Sequence, residues 1–180
     1  MTEIITDILK VSANPNGLHV IKKLVTLTLK VEYEDYRAEM VKAMSRNAIE
    51  MAQDPYGNYA LQIILDSYPL EITSDMVKVI KNKVVNLSLT KYSSNVVERC
   101  IEKASKELKE EMIRELMNAE NLSAIVKNRF GSQIIQKALA LAKPTLRAEF
   151  KEKLQSTIPS PNRKGKGGGS SIQGAIFYDQ

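Results

Sequence analysis

One motif occurs four times in this chain, and it limits the fold more than any other feature. Asn14-Pro15-Asn16-Gly17-Leu18-His19-Val20-Ile21-Lys22-Lys23-Leu24-Val25 recurs as Asp54-Pro55-Tyr56-Gly57-Asn58-Tyr59-Ala60-Leu61-Gln62-Ile63-Ile64-Leu65. It recurs again as Thr90-Lys91-Tyr92-Ser93-Ser94-Asn95-Val96-Val97-Glu98-Arg99-Cys100-Ile101 and as Asn128-Arg129-Phe130-Gly131-Ser132-Gln133-Ile134-Ile135-Gln136-Lys137-Ala138-Leu139, at offsets of 40, 36 and 38 residues. Periods of this length mark stacked helical units, because one unit cannot bury its apolar face alone. The segments between copies are also helical in character. Glu34–Ser45, Asp75–Asn86, Lys106–Asn118 and Thr145–Gln155 are rich in strong helix formers, with Met76, Val77, Ile80 and Val84, and Leu108, Met112, Ile113 and Leu116, at helical spacing. The expected fold is all-α, a curved stack of units with a longer helix, a short connecting helix or turn, and the motif helix.

Each column of the motif has a physical reason. The first holds Asn14, Asp54, Thr90 and Asn128, all N-capping types, and Pro15 and Pro55 follow where a first-turn proline costs no hydrogen bond. The fourth holds Gly17, Gly57, Ser93 and Gly131, which implies close approach at the first turn, with the next helix as the expected neighbour. Columns seven, eight, eleven and twelve are apolar in every copy and predict one buried stripe per helix. Cys100 falls in that stripe beside Leu24, Ile64 and Ala138, which makes it a structural thiol. Tyr56, Tyr92 and Phe130 share the third column with Asn16, and packing between helices is their expected role.

Several functions are excluded or disfavoured. One Cys and one His, His19, leave no disulfide framework and no Cys- or His-rich metal site. The first residues lack the pattern of a signal peptide, and no run of 18 apolar residues occurs, so a cytoplasmic protein with no membrane span is expected. No phosphate loop, nucleophile elbow or ligand spacing suggests an enzyme, and no cofactor is implied. Glu107, Glu110, Glu111 and Glu115 alternate with Lys106, Lys109 and Arg114 as a solvated helix face. The net charge is +5, from 26 Lys plus Arg against 21 Asp plus Glu. Arg163, Lys164, Lys166 and Asp179 account for +2 of this, leaving +3. That is low for binding driven by phosphate neutralisation and suits stacking and base-edge contacts better. Residues 159–180 are Gly-, Ser- and Lys-rich and read as a flexible tail.

The polar columns, five, six and nine, carry the functional signal. They hold Leu18, His19 and Lys22; Asn58, Tyr59 and Gln62; Ser94, Asn95 and Glu98; and Ser132, Gln133 and Gln136. Columns five and nine are i and i+4 and share a helix face, with column six about 100° round. Asn plus Gln can both donate and accept, which suits the mixed edge of uracil. Ser with an acceptor-only carboxylate suits the adjacent N–H donors of guanine. Tyr59 can stack on a base. Solvated polar faces are the bland alternative, and four copies in register weigh against it.

The strings Asp54-Pro55-Tyr56-Gly57-Asn58-Tyr59 through Gln62, and Ser94-Asn95-Val96-Val97-Glu98, resemble the repeats of the Pumilio (PUF) family of RNA-binding proteins. The likeness spans residues 1–155 and fits repeats five to eight, the C-terminal half of the family's eight-repeat domain. It implies an α-solenoid of stacked three-helix Pumilio-type repeats, approximately 1–30, 31–68, 69–105 and 106–143, with a cap helix at 144–158. It also implies binding of single-stranded RNA, usually in mRNA 3′ untranslated regions, on the concave face. Each repeat reads one base, and the RNA runs antiparallel to the protein. Asn58 and Gln62 would read U with Tyr59 stacking. Ser94 and Glu98 would read the preceding G, with Asn95 in the stacking position. Together they give the G-U of a U-G-U core. Translational repression or mRNA decay would follow from recruited repression or deadenylation factors. The outer copies depart from the family. Leu18 and Lys22 replace a small residue and Gln, with His19 in the stacking position. Ser132, Gln133 and Gln136 replace Asn-Tyr and Gln. Two alternatives follow: a protein-binding solenoid, or a low-selectivity RNA-binding Pumilio-like protein of ribosome biogenesis.

Overall fold

The computed structural model describes residues 1–157, and the expectations for the Gly-rich tail and the last residue of the cap segment lie outside them. These residues form thirteen α-helices and one 3₁₀ turn, with no strand among them. The order is α1 (Thr2–Thr6), α2 (Ile8–Ser12) and α3 (Pro15–Thr28); then, after the turn Val31–Tyr33, α4 (Glu34–Arg46), α5 (Ala48–Gln53) and α6 (Gly57–Ser67). Next come α7 (Leu70–Lys81), α8 (Val84–Leu87) and α9 (Ser93–Lys103), followed by α10 (Lys106–Met117), α11 (Leu122–Lys127) and α12 (Arg129–Leu141). α13 (Pro144–Thr157) closes the order.

Two rows of helices result. The motif helices pack in sequence, α3 on α6, α6 on α9 and α9 on α12. The longer helices form a second row, α4 on α7, α7 on α10 and α10 on α13, with α1 against α4 at its start. The short helices α2, α5, α8 and α11 each lie against the motif helix of their own unit. α13 therefore occupies the place that the first helix of a further unit would take, and buries Leu146, Phe150 and Leu154.

The core lies between the rows. Leu61, Ile64, Val97, Cys100, Ile101, Ile135 and Ala138 have no exposed surface. Each large apolar side chain so placed stabilises the fold by about 1.5–3 kcal/mol. The buried stripe holds with one exception. Column seven is buried at Ala60, Val96 and Ile134, but Val20 is 38% exposed. Val20 lies on α3, the first motif helix of the row among the described residues.

The caps follow the first column in three copies. Asn14 Oδ1 accepts from Gly17 N at 2.8 Å; Asp54 Oδ1 accepts from Tyr56 N at 2.8 Å and Gly57 N at 2.7 Å; Asn128 Oδ1 accepts from Phe130 N and Gly131 N, both at 2.9 Å. Pro15 opens α3 as expected, whereas Pro55 lies in the turn before α6.

The small column is explained by a different neighbour from the one expected. No described residue takes a left-handed φ, so backbone freedom is not the reason for glycine. A Cβ on Gly57 would stand 2.7 Å from the Met51 carbonyl oxygen, and one on Gly131 2.5 Å from that of Ile125; at Gly17 it would collide with the Val11 carbonyl. The crowding group is thus the end of the preceding short helix, not the next helix. In the third copy Ser93 meets the equivalent carbonyl with a hydrogen bond, Oγ donating to Leu87 O at 2.6 Å. Thr90 then spends its hydroxyl on Ser93 Oγ, 2.6 Å away.

One further expectation is corrected. The helix expected over Asp75–Asn86 is broken at Asn82–Lys83, between α7 and α8. Of the aromatic column, Tyr92 and Phe130 are half-buried and only Tyr56 stands exposed. Lys91 sits 5.4 Å over the Tyr92 ring and Arg129 5.8 Å over Phe130.

Candidate nucleic-acid interface

The polar columns project from one side of the motif-helix row, and their three positions differ in depth. Column six is outermost: His19, Tyr59, Asn95 and Gln133 are all exposed, with Tyr59 at 51%. Column nine is intermediate: Gln62, Glu98 and Gln136 are half-buried, and Lys22 is exposed. Column five is recessed. Asn58 has no exposed surface and Ser94 only 5%, while Leu18 and Ser132 are half-buried.

Local backbone chemistry sets the depth of column five. It lies in the first helical turn, where short polar side chains can bond back to carbonyls of the incoming chain. Asn58 Nδ2 donates to Asp54 O and Pro55 O, both at 2.9 Å. Ser94 Oγ donates to Lys91 O at 3.4 Å, and Ser132 Oγ to Arg129 O at 3.0 Å. In the exposed column, Asn95 Nδ2 reaches Lys91 O at 3.3 Å.

The expected i, i+4 pairing is present in the second copy. Gln62 Nε2 donates to Asn58 Oδ1 at 3.1 Å and to Asn58 O at 3.2 Å. Asn58 is therefore the inner member of the pair and orients Gln62, and Gln62 is the member that meets the surface. In the third copy Ser94 is likewise the inner member and Glu98 the outer one.

An ion-pair thread across this face was not among the sequence expectations. Lys137 Nζ on α12 lies 3.0 Å from Glu98 Oε1 and 2.7 Å from Glu102 Oε1 on α9. Arg99 Nη1 meets Glu102 Oε2 at 2.7 Å, and its Nε faces Asp66 Oδ1 on α6 at 3.3 Å. Lys103 Nζ is 3.5 Å from the same Asp66 oxygen. The hydrogen bond from Lys137 holds the Glu102 carboxyl below the usual carboxylate range; Glu102 and then Glu98 hold the Lys137 ammonium above its ordinary value. Asp66 and Glu102 are each four residues beyond column nine in their own helices, so they share its face. The thread thus puts Gln62, Glu98 and Lys137 on one surface. Its signal was available in the alignment: Arg99 and Lys137 share column ten, and Asp66 and Glu102 share column thirteen.

Cys100 is wholly buried and burial pushes its thiol up, which leaves it protonated at neutral pH. No group of three or more His, Cys, Asp or Glu side chains that could hold a metal occurs among the described residues, and no helix among them is long and apolar enough to cross a membrane.

These features define an α-solenoid of tandem repeats with a row of graded polar side chains along its motif helices. Residues 9–124 match the NOP9-like PUF repeat domain, and residues 121–149 match the Pumilio-family RNA binding repeat. The chain belongs to the PUF family. It is 33% identical over 154 residues to a Pumilio domain-containing protein of Schizosaccharomyces pombe, covering 86% of this chain and 22% of that protein. It is 31% identical over 142 residues to putative pumilio homolog 8, chloroplastic, of Arabidopsis thaliana, covering 79% and 27%. The chain therefore spans about a quarter of the length of these relatives. Among solved structures it resembles PUF-8 in complex with PBE-RNA, at a TM-score of 0.75 and 17% identity over 86% of this chain and 44% of that one. It also resembles the RNA-binding domain of yeast Puf5p bound to SMX2 RNA, at 0.72 and 21% over 85% and 43%.

Proposed function

We propose that the motif-helix face binds single-stranded RNA, one base per repeat, with a G-U core read by the third and second copies. The observation that carries this reading is the row itself: Gln62, buttressed by the buried Asn58, stands on the same surface as Glu98, and Tyr59 is exposed beside them. Gln62 presents its Oε1 acceptor to the uracil N–H, and its amide must turn one proton from Asn58 to the uracil carbonyl when the base binds, with Tyr59 stacking on that base. Glu98, backed by Ser94, accepts from the two adjacent donors of guanine, and Asn95 flanks that base. Antiparallel RNA puts G before U. His19 with Lys22, and Gln136 with Ser132 and Gln133, contact the flanking bases. Recognition of this kind serves post-transcriptional control of mRNA, with repression or deadenylation factors as partners. The compartment we propose is the cytoplasm, although two of the relatives are named as chloroplastic.

A second reading is RNA binding with little base selectivity. The observation favouring it is the exposed column six, where Tyr59 is the one large aromatic among His19, Asn95 and Gln133. Selection of bound RNAs from a random single-stranded pool separates the two readings. Enrichment of a G-U core is expected. Binding without enrichment would establish the non-selective reading, and no RNA binding would leave the protein-binding solenoid.

A further inference from the structure

Glu98 and Glu102 stand one turn apart on α9, so their carboxylates share a face and repel each other. Lys137 reaches between them from the neighbouring helix, touching Oε1 of each. The two carboxylates are not equally served. Glu102 is held on both oxygens, Oε1 by Lys137 and Oε2 by Arg99. Among the described residues, Glu98 is paired with Lys137 alone, through Oε1. Its side chain is 40% exposed, so the remaining acceptor capacity faces the surface on which Gln62 and Tyr59 stand.

The chemistry of guanine makes this asymmetry matter. Its two adjacent donors need an ionised carboxylate held in one plane. A carboxylate beside a second carboxylate and an RNA polyanion is pushed to turn outward, away from the plane in which it can accept from both donors. A cation fixed on one oxygen opposes that rotation. Each carboxylate oxygen has two acceptor sites, so this does not block the base.

We propose that Lys137, a side chain of the fourth repeat, is a positioning residue for base choice by the third: its ammonium anchors one oxygen of Glu98 and so holds the carboxylate in the orientation that selects guanine. The inference rests on the RNA-reading function proposed above. Its consequence is that the third repeat's preference is not contained in that repeat, because part of the reading device is supplied by its neighbour.

The test uses the full chain and two short single-stranded RNAs that differ only in carrying G or U opposite the third repeat. Affinities are measured for the parent, Lys137→Met, Lys137→Arg, Glu98→Gln and the Glu98→Gln/Lys137→Met double variant, each checked for folding by circular dichroism. Lys137→Met should lower the preference for G over U by about threefold to fivefold, the scale of one partly exposed ion pair. Lys137→Arg should keep the preference within about twofold of the parent, since the cation is retained. In the Glu98→Gln background, Lys137→Met should leave the ratio unchanged. A merely structural role would weaken both RNAs alike and leave the ratio intact. If Glu98→Gln abolishes the preference while folded Lys137→Met keeps it, the inference fails and the base-reading function stands. An equal loss on both RNAs with a shallower salt dependence would make Lys137 a phosphate contact and overturn the inference. A parent with no preference between the two RNAs would overturn both.

Discussion

A methyl group at Gly57 would sit 2.7 Å from the Met51 carbonyl oxygen and 3.0 Å from Met51 Cα, with backbone on both counts and no flexible side-chain end to give way. The helix-propensity gain of alanine over glycine, about 1 kcal/mol, is offset by this overpacking. Gly57→Ala should therefore destabilise the protein by about 1–3 kcal/mol, read as a lower urea midpoint at unchanged m. Equal or greater stability would show that α5 can shift away without cost and that the small column is not a steric requirement. Ser93 shows how one copy escapes the rule, since its hydroxyl turns the crowding carbonyl of Leu87 into a hydrogen-bond acceptor. Residue-scale chemistry also demotes Asn58 from surface reader to support: with no exposed area and both amide protons on backbone carbonyls, it contributes by aiming Gln62.

At the scale of the element, the polar columns of α6 should transfer to α9. Ser94→Asn, Asn95→Tyr and Glu98→Gln together give α9 the polar columns of α6. Asparagine fits the recessed place, as Asn58 already shows in α6. The loss of the Glu98 ion pair with Lys137 should cost at most about 1 kcal/mol of stability, because both side chains are partly exposed. The variant should prefer U-U where the parent prefers G-U, a change in discrimination of about 1–3 kcal/mol at that base. Binding to two short RNAs differing at that base measures it, and a folded variant that still prefers G would show that Ser94 and Glu98 do not read it. The same scale explains what was legible in the chain. Helix type, the capping residues Asn14, Asp54 and Asn128, and the apolar stripe follow from spacing within one helix, and all are visible in a single copy once the copies are aligned. Val20, the break at Asn82 and the partner of the glycine column depend on which element lies alongside, which spacing does not specify. The depth of Asn58 and the Lys137–Glu98 pair were hidden for the same reason. One depends on carbonyls of the incoming chain, the other on a helix 39 positions further on, from residue 98 to residue 137.

For the whole molecule, the titrating groups bound the pH range in which the stack is stable. On the acid side, ion pairing and hydrogen bonds hold Glu102, Glu107 and Glu110 below their ordinary 4.5. The unfolded chain therefore binds more protons than the folded one in this range, and stability falls as pH drops below that value. Glu107 is exposed and Glu102 and Glu110 are partly exposed, so screening by solvent should keep the acid loss shallow. On the alkaline side, burial raises Cys100 above 9.0 and Tyr68 above 10.0, and carboxylate partners raise Lys81, Lys137 and Lys143 above 10.5. Here the folded chain keeps protons that the unfolded chain has released. Stability is full below the unfolded values and is lost as pH rises through them, with Cys100 the first to act. A single buried group of this kind lowers stability by about 1.4 kcal/mol per pH unit once the unfolded thiol ionises. Urea unfolding at steps from pH 3 to 11 should thus show a plateau from about pH 5 to 9, a gentle acid slope and a steeper alkaline one. Cys100→Ala supplies the control. The small cavity lowers the whole curve, but the decline between pH 9 and 10 should flatten, because the group that titrates there is gone. If the alanine variant declines from pH 9 as steeply as the parent, the alkaline limit is set elsewhere and the buried thiol of the third repeat has no part in it.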